Sequence, residues 1–297
     1  MTHVVAVDVG GTSVKAALVG RDLAPVATLR EPTRRVAGAV DIDHIASMIT
    51  RLADGAAVAG VGVAVPGVVD DTTGHVVTAV NLGWHDLPLQ TALSSLTGMP
   101  LKVRHDVRTG GLAEFTVGAA AGVANAVFLP IGTGIAAAFQ VDGRPLVAGG
   151  YAGEIGHLVV DPGGAACNCG ALGCLETLAA APAVSRRYAE RTGRTATAAE
   201  VAARLDDADA DAAAVWADAV AALGAALAAA VAMVGPEVIV LGGGLAEAGD
   251  ALVGPVRDDL HARLTFQRKP AVVRAALGQD AGRAGAALLG WEAADGA

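Results

Sequence analysis

The sequence predicts an α/β protein of two lobes built around a duplicated core, with a ligand cleft between the lobes. Three observations predict this. A β-branched run, Val4-Val5-Ala6-Val7, ends in the glycine turn Asp8-Val9-Gly10-Gly11-Thr12 and resumes at Lys15-Ala16-Ala17-Leu18-Val19, which reads as a hairpin around a loop. The arrangement recurs where Ala126 to Pro130 runs into Ile131-Gly132-Thr133-Gly134 and resumes at Ile135 to Phe139. At 297 residues the chain also exceeds the usual size of one core.

The remaining elements follow in order. The pattern predicts a helix over about residues 41–53, a strand at 61–65 and another at 101–103. The uncharged, alanine-rich run 219–235 is shorter than a membrane span and contains Gly224, so it reads as a buried helix. A third apolar run, Glu237 to Leu241, enters Gly242-Gly243-Gly244 after that helix, the order of a helix-to-strand crossover.

Composition narrows the partners. The chain carries 21 Lys+Arg against 30 Asp+Glu, a net charge of −9. This gives no electrostatic footprint for nucleic acid or an anionic membrane, so small-molecule partners are expected. Hydrophobic residues make up 53% of the chain, but much of that is alanine, so the mean hydropathy of +0.50 is a poor membrane signal. Met1-Thr2-His3 leads straight into the first strand without a signal-peptide pattern, and a cytoplasmic protein is expected.

Glycine at the three turns lets backbone N–H groups approach phosphate oxygens and allows positive φ. Each turn alone is common punctuation, yet two loops with Thr after glycine plus a third glycine-rich turn suggest a nucleotide cleft. The Walker and dinucleotide fingerprints are both missing, so a different nucleotide fold is implied.

All three cysteines lie in one segment. Glu154-Ile155-Gly156-His157 is followed by Cys167-Asn168-Cys169-Gly170-Ala171-Leu172-Gly173-Cys174-Leu175-Glu176. One imidazole and three thiolates are the donor set of a closed tetrahedral zinc site. The other reading is buried free thiols. An odd cysteine count and the strained ring that Cys167 and Cys169 would close argue against disulfides. With His157, Cys167, Cys169 and Cys174 filling four positions, zinc would be structural, and the flanking Glu154 and Glu176 would be the ligand-binding groups.

Together these segments resemble the ROK family of repressors and sugar kinases, within the actin-like, ribonuclease H-like and hexokinase-like ATPase superfamily. The resemblance runs nearly end to end, through Asp8 to Thr12, Pro66-Gly67-Val68-Val69-Asp70, Asn81-Leu82-Gly83-Trp84, the Asp106 segment, Gly132 to Gly134 and the cysteine cassette. It implies an ATP-dependent kinase acting on the primary, C6-type hydroxyl of glucose or a glucose-like sugar, with Asp106 as general base. Asp106 also reads as a helix N-cap before Val107 to Phe115. The implied sugar contacts are Gly67, Asn81, His105, Asp106, Glu154, His157 and Glu176. The implied ATP contacts are Asp8, Gly10, Gly11, Thr12 and Lys15, then Gly132, Thr133 and Gly134, and Gly242 and Gly243 as the adenosine motif. ATP, Mg²⁺ held through water near Asp8, and structural Zn²⁺ are the implied cofactors. Polyphosphate remains an alternative donor.

The resemblance also implies a small lobe over residues 1–107, a large lobe over 108–282, and a C-terminal helix at 283–297 packing on the first. It implies a homodimer or homotetramer.

His105 departs from the family pattern, which usually places Asn before the catalytic Asp. Either His105 makes an equivalent hydrogen bond and the substrate is glucose, or it selects an altered sugar such as kanosamine or a C7-cyclitol. An N-acetylhexosamine kinase is a further alternative. Arg108, nearby, stands where the family tends to keep a smaller or neutral residue, and facing solvent is one reading of it. The competing class is a sugar-responsive transcriptional regulator, but the first strand at Val4 leaves no room for a preceding DNA-binding domain, and a net charge of −9 supplies no basic patch.

Overall fold

The computed structural model describes residues 2–296, which divide into two compact units. The first holds the chain up to Ala113, Val147–Ala152 and the chain from Asp280 onward. The second holds Glu114–Leu146 and Gly153–Gln279. The dividing point expected at 107/108 falls inside the helix Asp106–Thr116, and the units part after Ala113.

In the first unit His3–Val9 and Ser13–Val19 form the expected antiparallel hairpin, extended by Pro25–Pro32. Val58–Val65 pairs parallel to His3–Val9 on the other side, and Leu101–His105 pairs parallel to Val58–Val65. The inner strands are near-continuous valine and alanine runs because both faces are covered. One face meets the helix Ile42–Ala53, whose Ile45, Met48, Ile49 and Leu52 are buried at helical spacing and whose N-terminus is capped by Asp41. The other face meets the C-terminal helix Ala281–Asp295. Gly62 allows this approach, since a Cβ there would lie 1.9 Å from the Ala286 carbonyl oxygen. A second sheet, Val68–Asp70, His75–Ala79 and Trp84–Leu87, carries Gly67 at its edge and Asn81 in the turn Val80–Leu82.

The second unit repeats the plan. Ala126–Pro130 pairs antiparallel with Ala138–Val141 and parallel with Val238–Gly242, which pairs parallel with Ala271–Arg274. The returning strand was expected to begin at Ile135 but begins at Ala138. Ile135 makes only an isolated bridge to Ile131, and its N–H is donated to the Glu176 carboxylate instead of to a ladder.

The alanine-rich segment is the 25-residue helix Ala210–Val234, long and apolar enough to cross a membrane by length and composition. Half of its apolar window is buried, with Trp216, Leu223 and Leu227 in the unit's own core. Glu114 is a fully buried carboxylate in this unit. It accepts the N–H groups of Ala119 at 2.8 Å, Ala276 at 3.2 Å and Leu277 at 2.8 Å, tying a helix end to a distant loop.

Candidate active site

The first glycine turn lies at the end of His3–Val9. Gly10 donates its N–H to the Ser13 carbonyl at 3.0 Å, and its own carbonyl accepts the Thr33 hydroxyl at 2.6 Å. Lys15 Nζ lies 3.5 Å from Asp8 Oδ2. Burial holds the Asp8 carboxyl above its usual range, with Lys15 pulling it down and the charge of Asp106 pushing it up. Two like charges within electrostatic reach favour a bound cation. Arg35 links this turn to the Asn81 turn, donating to the Gly11 carbonyl at 3.5 Å and the Asn81 carbonyl at 2.7 Å. Gly67 has φ +104°, and a Cβ there would lie 2.3 Å from the Thr78 carbonyl oxygen, so only glycine fits.

Asp106 is the first residue of its helix, directly after the strand Leu101–His105. The positive end of the helix favours a carboxylate there. Oδ1 accepts the Val107 N–H at 2.7 Å, one of the helix's free N-terminal donors. Surrounding protein strips water from this carboxyl and raises it above the ordinary carboxylate value, although the side chain keeps 38% of its surface open. A base that is desolvated yet reachable suits proton abstraction.

His105 is buried, with Nε2 3.1 Å from Asp106 Oδ1. Its Nδ1 is buried without a hydrogen-bond partner among the described residues. Burial, helped by the Arg108 charge, lowers the imidazole to about 4, so the ring is neutral near pH 7.

Of the readings open for Arg108, the solvent-facing one does not hold. Arg108 is buried, and forms a bidentate pair with Asp71, Nε to Oδ2 and Nη2 to Oδ1, both at 2.9 Å. Its remaining donors meet the carbonyls of Val69 at 2.8 Å, Gly150 at 3.3 Å and Ala152 at 3.4 Å. Sequence reasoning missed Asp71, Arg35 and Glu114. The signal for Glu114 was a lone carboxylate among apolar neighbours in Gly110 to Phe115. No local pattern pairs Asp71 with Arg108.

In the second unit the second and third glycine turns lie side by side. Ile131 donates to the Gly242 carbonyl at 2.9 Å, and Leu245 donates to the Ile131 carbonyl at 3.0 Å. Gly243, at φ +74°, leaves room for this approach: a Cβ would lie 2.5 Å from the Ile131 oxygen. A 280 Å³ cavity beside the third turn is lined by Ala198, Ala202, Trp216, Gly244 and Leu245.

The cysteine cassette folds back on itself, with Cys167 donating to the Ala171 carbonyl and Gly173 donating to the Ala165 carbonyl, both at 2.8 Å. The His157 nitrogen and the three sulfurs all lie within 4.8 Å of one another. Cys167 Sγ is 3.6 Å from His157 Nδ1, and Cys169 Sγ is 3.6 Å from Cys174 Sγ. A tetrahedral ion with bonds of about 2.3 Å to sulfur requires edges near these lengths. Burial, reinforced by the neighbouring sulfurs, pushes the Cys174 thiol up to about 12. A divalent cation would reverse that crowding, so the donor set fits zinc.

Glu176 follows this cassette and starts a short helix, Glu176–Ala179. Its Oε2 accepts the Ile135 N–H at 2.8 Å, bringing the cassette against the second glycine turn. A 510 Å³ cavity is lined by Thr133, Asn168, Glu176, Thr177 and Arg186. Glu154 immediately precedes the turn Ile155–His157 and follows Gly153, which accepts the Ala137 N–H at 2.7 Å. Asp8, Gly10, Gly11, Thr12, Lys15, Gly67, Asn81, His105 and Asp106 thus belong to the first unit, and the remaining predicted site residues to the second.

The ROK family profile matches residues 4–292. The chain belongs to the ROK family. A relative, the glucokinase of Halalkalibacterium halodurans, is 35% identical over 309 residues, covering 96% of this chain and 94% of the relative. The kanosamine kinase of Amycolatopsis mediterranei is 31% identical over 244 residues, covering 81% and 80%. Among solved structures, a ROK family glucokinase from Streptomyces griseus, in complex with glucose and AMPPNP, superposes with a TM-score of 0.82 at 26% identity, covering 98% of this chain and 99% of that one. The two similarly built sheets and these neighbours establish the α/β fold of the ROK sugar kinases.

Proposed function

We propose that this protein transfers the terminal phosphate of ATP to the primary, C6-type hydroxyl of glucose or a glucose-like sugar. It is an ATP-dependent hexose kinase of the ROK family. The observation that carries this reading is Asp106, a desolvated but reachable carboxylate at a helix start with a raised proton affinity. In phosphoryl transfer the protein mainly positions the reactants and neutralises charge, and one carboxylate orients and deprotonates the nucleophile. Asp106 takes the sugar hydroxyl proton.

Gly67 and Asn81 in the first unit, and Glu154, His157 and Glu176 in the second, are assigned as sugar contacts. Asp8 holds Mg²⁺ through water, consistent with its closeness in charge to Asp106. Gly10, Gly11, Thr12 and Lys15 belong to one phosphate loop, and Gly132, Thr133 and Gly134 to the other. Gly242 and Gly243 begin the adenosine site, and the 280 Å³ cavity beside them, lined by alanines and Trp216 with Asp206 and Glu247, suits a base. Zinc on His157, Cys167, Cys169 and Cys174 is structural and orders the loop that ends in Glu176. The working compartment is the cytoplasm, and the assembly is a homodimer or homotetramer, as inferred from the family resemblance. Nucleic acid and membrane are not partners, in keeping with the net charge of −9.

The test is ADP release with ATP and Mg²⁺ across glucose, mannose, N-acetylglucosamine, N-acetylmannosamine, kanosamine and a C7-cyclitol, with Asp106→Asn as blank. Turnover of glucose supports a general glucokinase. Rejection of glucose with turnover of one analogue assigns a specialised sugar kinase, and no turnover with any sugar overturns the kinase reading.

A further inference from the structure

We propose that Arg108 is a positioning residue for sugar binding: its buried guanidinium, fixed by Asp71, holds the turn Val147–Ala152 and so sets where the chain enters Glu154. The inference rests on Glu154 being a sugar contact.

The side chains of Arg108 and Asp71 are 4% and 8% exposed. A guanidinium carries five N–H donors, and each of those on Arg108 meets an acceptor. Nε and one Nη2 hydrogen take the two Asp71 oxygens at 2.9 Å, and the other Nη2 hydrogen takes the Val69 carbonyl at 2.8 Å. These three bonds fix the guanidinium plane against the strand Val68–Asp70 and the residue that follows it. Nη1 is left to reach the Gly150 carbonyl at 3.3 Å and the Ala152 carbonyl at 3.4 Å. A buried ion pair adds little net stability over apolar groups of the same shape, so what this one contributes is geometry.

The turn needs a hold from outside. Ala148, Gly149 and Gly150 follow one another at φ +48°, +64° and +96°, and an alanine in the left-handed region persists only where its surroundings fix it. Within the turn, Gly150 donates to the Val147 carbonyl at 2.9 Å, and Ala152 donates to the same carbonyl at 3.2 Å. Outward, Gly150 lies so close to the strand that a Cβ would come 2.3 Å from the Val69 oxygen. Arg108 therefore grips the turn from the strand on which the turn is packed. Ala152 is the last residue it holds, and Glu154 is two residues further along the chain. A carboxylate so near a fixed carbonyl has little backbone freedom, which is what a directed bond to a ring hydroxyl requires.

The test uses the full chain with ATP, Mg²⁺ and glucose, or kanosamine where glucose is rejected. Arg108→Lys keeps a charge beside Asp71 but loses the planar fork. The sugar KM, and the sugar Kd by calorimetry, should rise about tenfold, with kcat within about threefold and the ATP KM within about twofold of wild type, the pattern of a sugar contact displaced. A double-mutant cycle identifies the route: in a Glu154→Gln background, Arg108→Lys should weaken sugar binding by less than about twofold more, because the contact it displaces is already lost. Asp71→Leu combined with Arg108→Met replaces the pair by apolar groups and separates positioning from folding, since its Tm should stay near wild type while its sugar Kd stays raised. A wild-type sugar Kd in Arg108→Lys or in the apolar double variant, or a further loss of about tenfold in the Glu154→Gln background, overturns the proposal. Unchanged sugar affinity in Glu154→Gln alone would overturn the reading of Glu154 itself, a result separate from any Arg108 outcome.

Discussion

Glu176 Oε2 accepts the Ile135 N–H at 2.8 Å, so the cassette that gathers three sulfurs and an imidazole is joined directly to the second glycine turn. Gly134 and Gly156 crowd against the same oxygen, where added Cβ atoms would lie 2.9 Å and 3.0 Å away. One carboxylate thus links the zinc-type loop to the phosphate-type loop. Glu176→Gln preserves an acceptor for Ile135 but removes the charge. Sugar KM should rise about tenfold with little change in Tm. Glu176→Ala should add a stability loss of about 1.5–3 kcal/mol, because the Ile135 N–H loses a charged acceptor. Denaturant melts and sugar titrations separate the two effects.

One zinc per chain is expected by elemental analysis of protein purified without chelator. Cys169→Ser should lose the metal, lower Tm and raise sugar KM, while kcat at saturating sugar changes less, because the metal acts by ordering the loop. Unchanged sugar affinity in a protein verified as zinc-free would contradict this account.

Asp106→Asn should reduce kcat by about 10²–10⁴ while leaving the sugar Kd nearly intact. It should also stabilise the fold at neutral pH. The Asp106 carboxyl is raised in the folded state, so the folded protein holds the proton more tightly than the unfolded chain. Above the raised value the wild type carries a desolvated charge that asparagine lacks. The variant's Tm advantage should therefore be full at neutral pH and vanish as pH falls below the ordinary carboxylate range. The acidic limb of the wild-type kcat profile should lie above that same range.

The stability of the wild type should carry a His105 signature. Its folded value of about 4 lies below the ordinary imidazole value of 6.5. A lowered folded value contributes stability that is present above pH 6.5 and lost as pH falls toward 4. The loss reaches about 3 kcal/mol. Urea melts at pH 7 and pH 4.5 should show this difference shrinking in His105→Gln. An unchanged pH dependence in that variant would contradict the burial of a neutral ring.

Glu114→Ala removes the acceptor for three backbone N–H groups inside the second unit. A loss of about 3–5 kcal/mol is expected, the scale of stripping a partner from a buried charged network. Sugar KM measured below the melting transition should be unaffected, which distinguishes a structural carboxylate from a substrate contact.

Local pattern made the duplicated strand and glycine-turn plan legible, because β-branched runs and glycines act within a few residues of themselves. The helix predicted over 41–53 is Ile42–Ala53, its cap and apolar spacing being local as well. The clustering of His157 with the three cysteines was legible for the same reason, all four lying within about 18 residues of sequence. Ile135 was misread as strand because its N–H partner, Glu176, lies 41 residues away. The burial of Arg108 was not legible because the carboxylate that neutralises it, Asp71, is 37 residues upstream.

The sequence by itself determined the fold class, the family and the kinds of chemical group available, since these depend on periodicity and on short motifs. Tertiary structure decided the electrostatic state of each group. Whether a histidine is charged, a carboxylate desolvated or an arginine buried depends on what distant segments bring beside it, and composition and spacing carry no record of that.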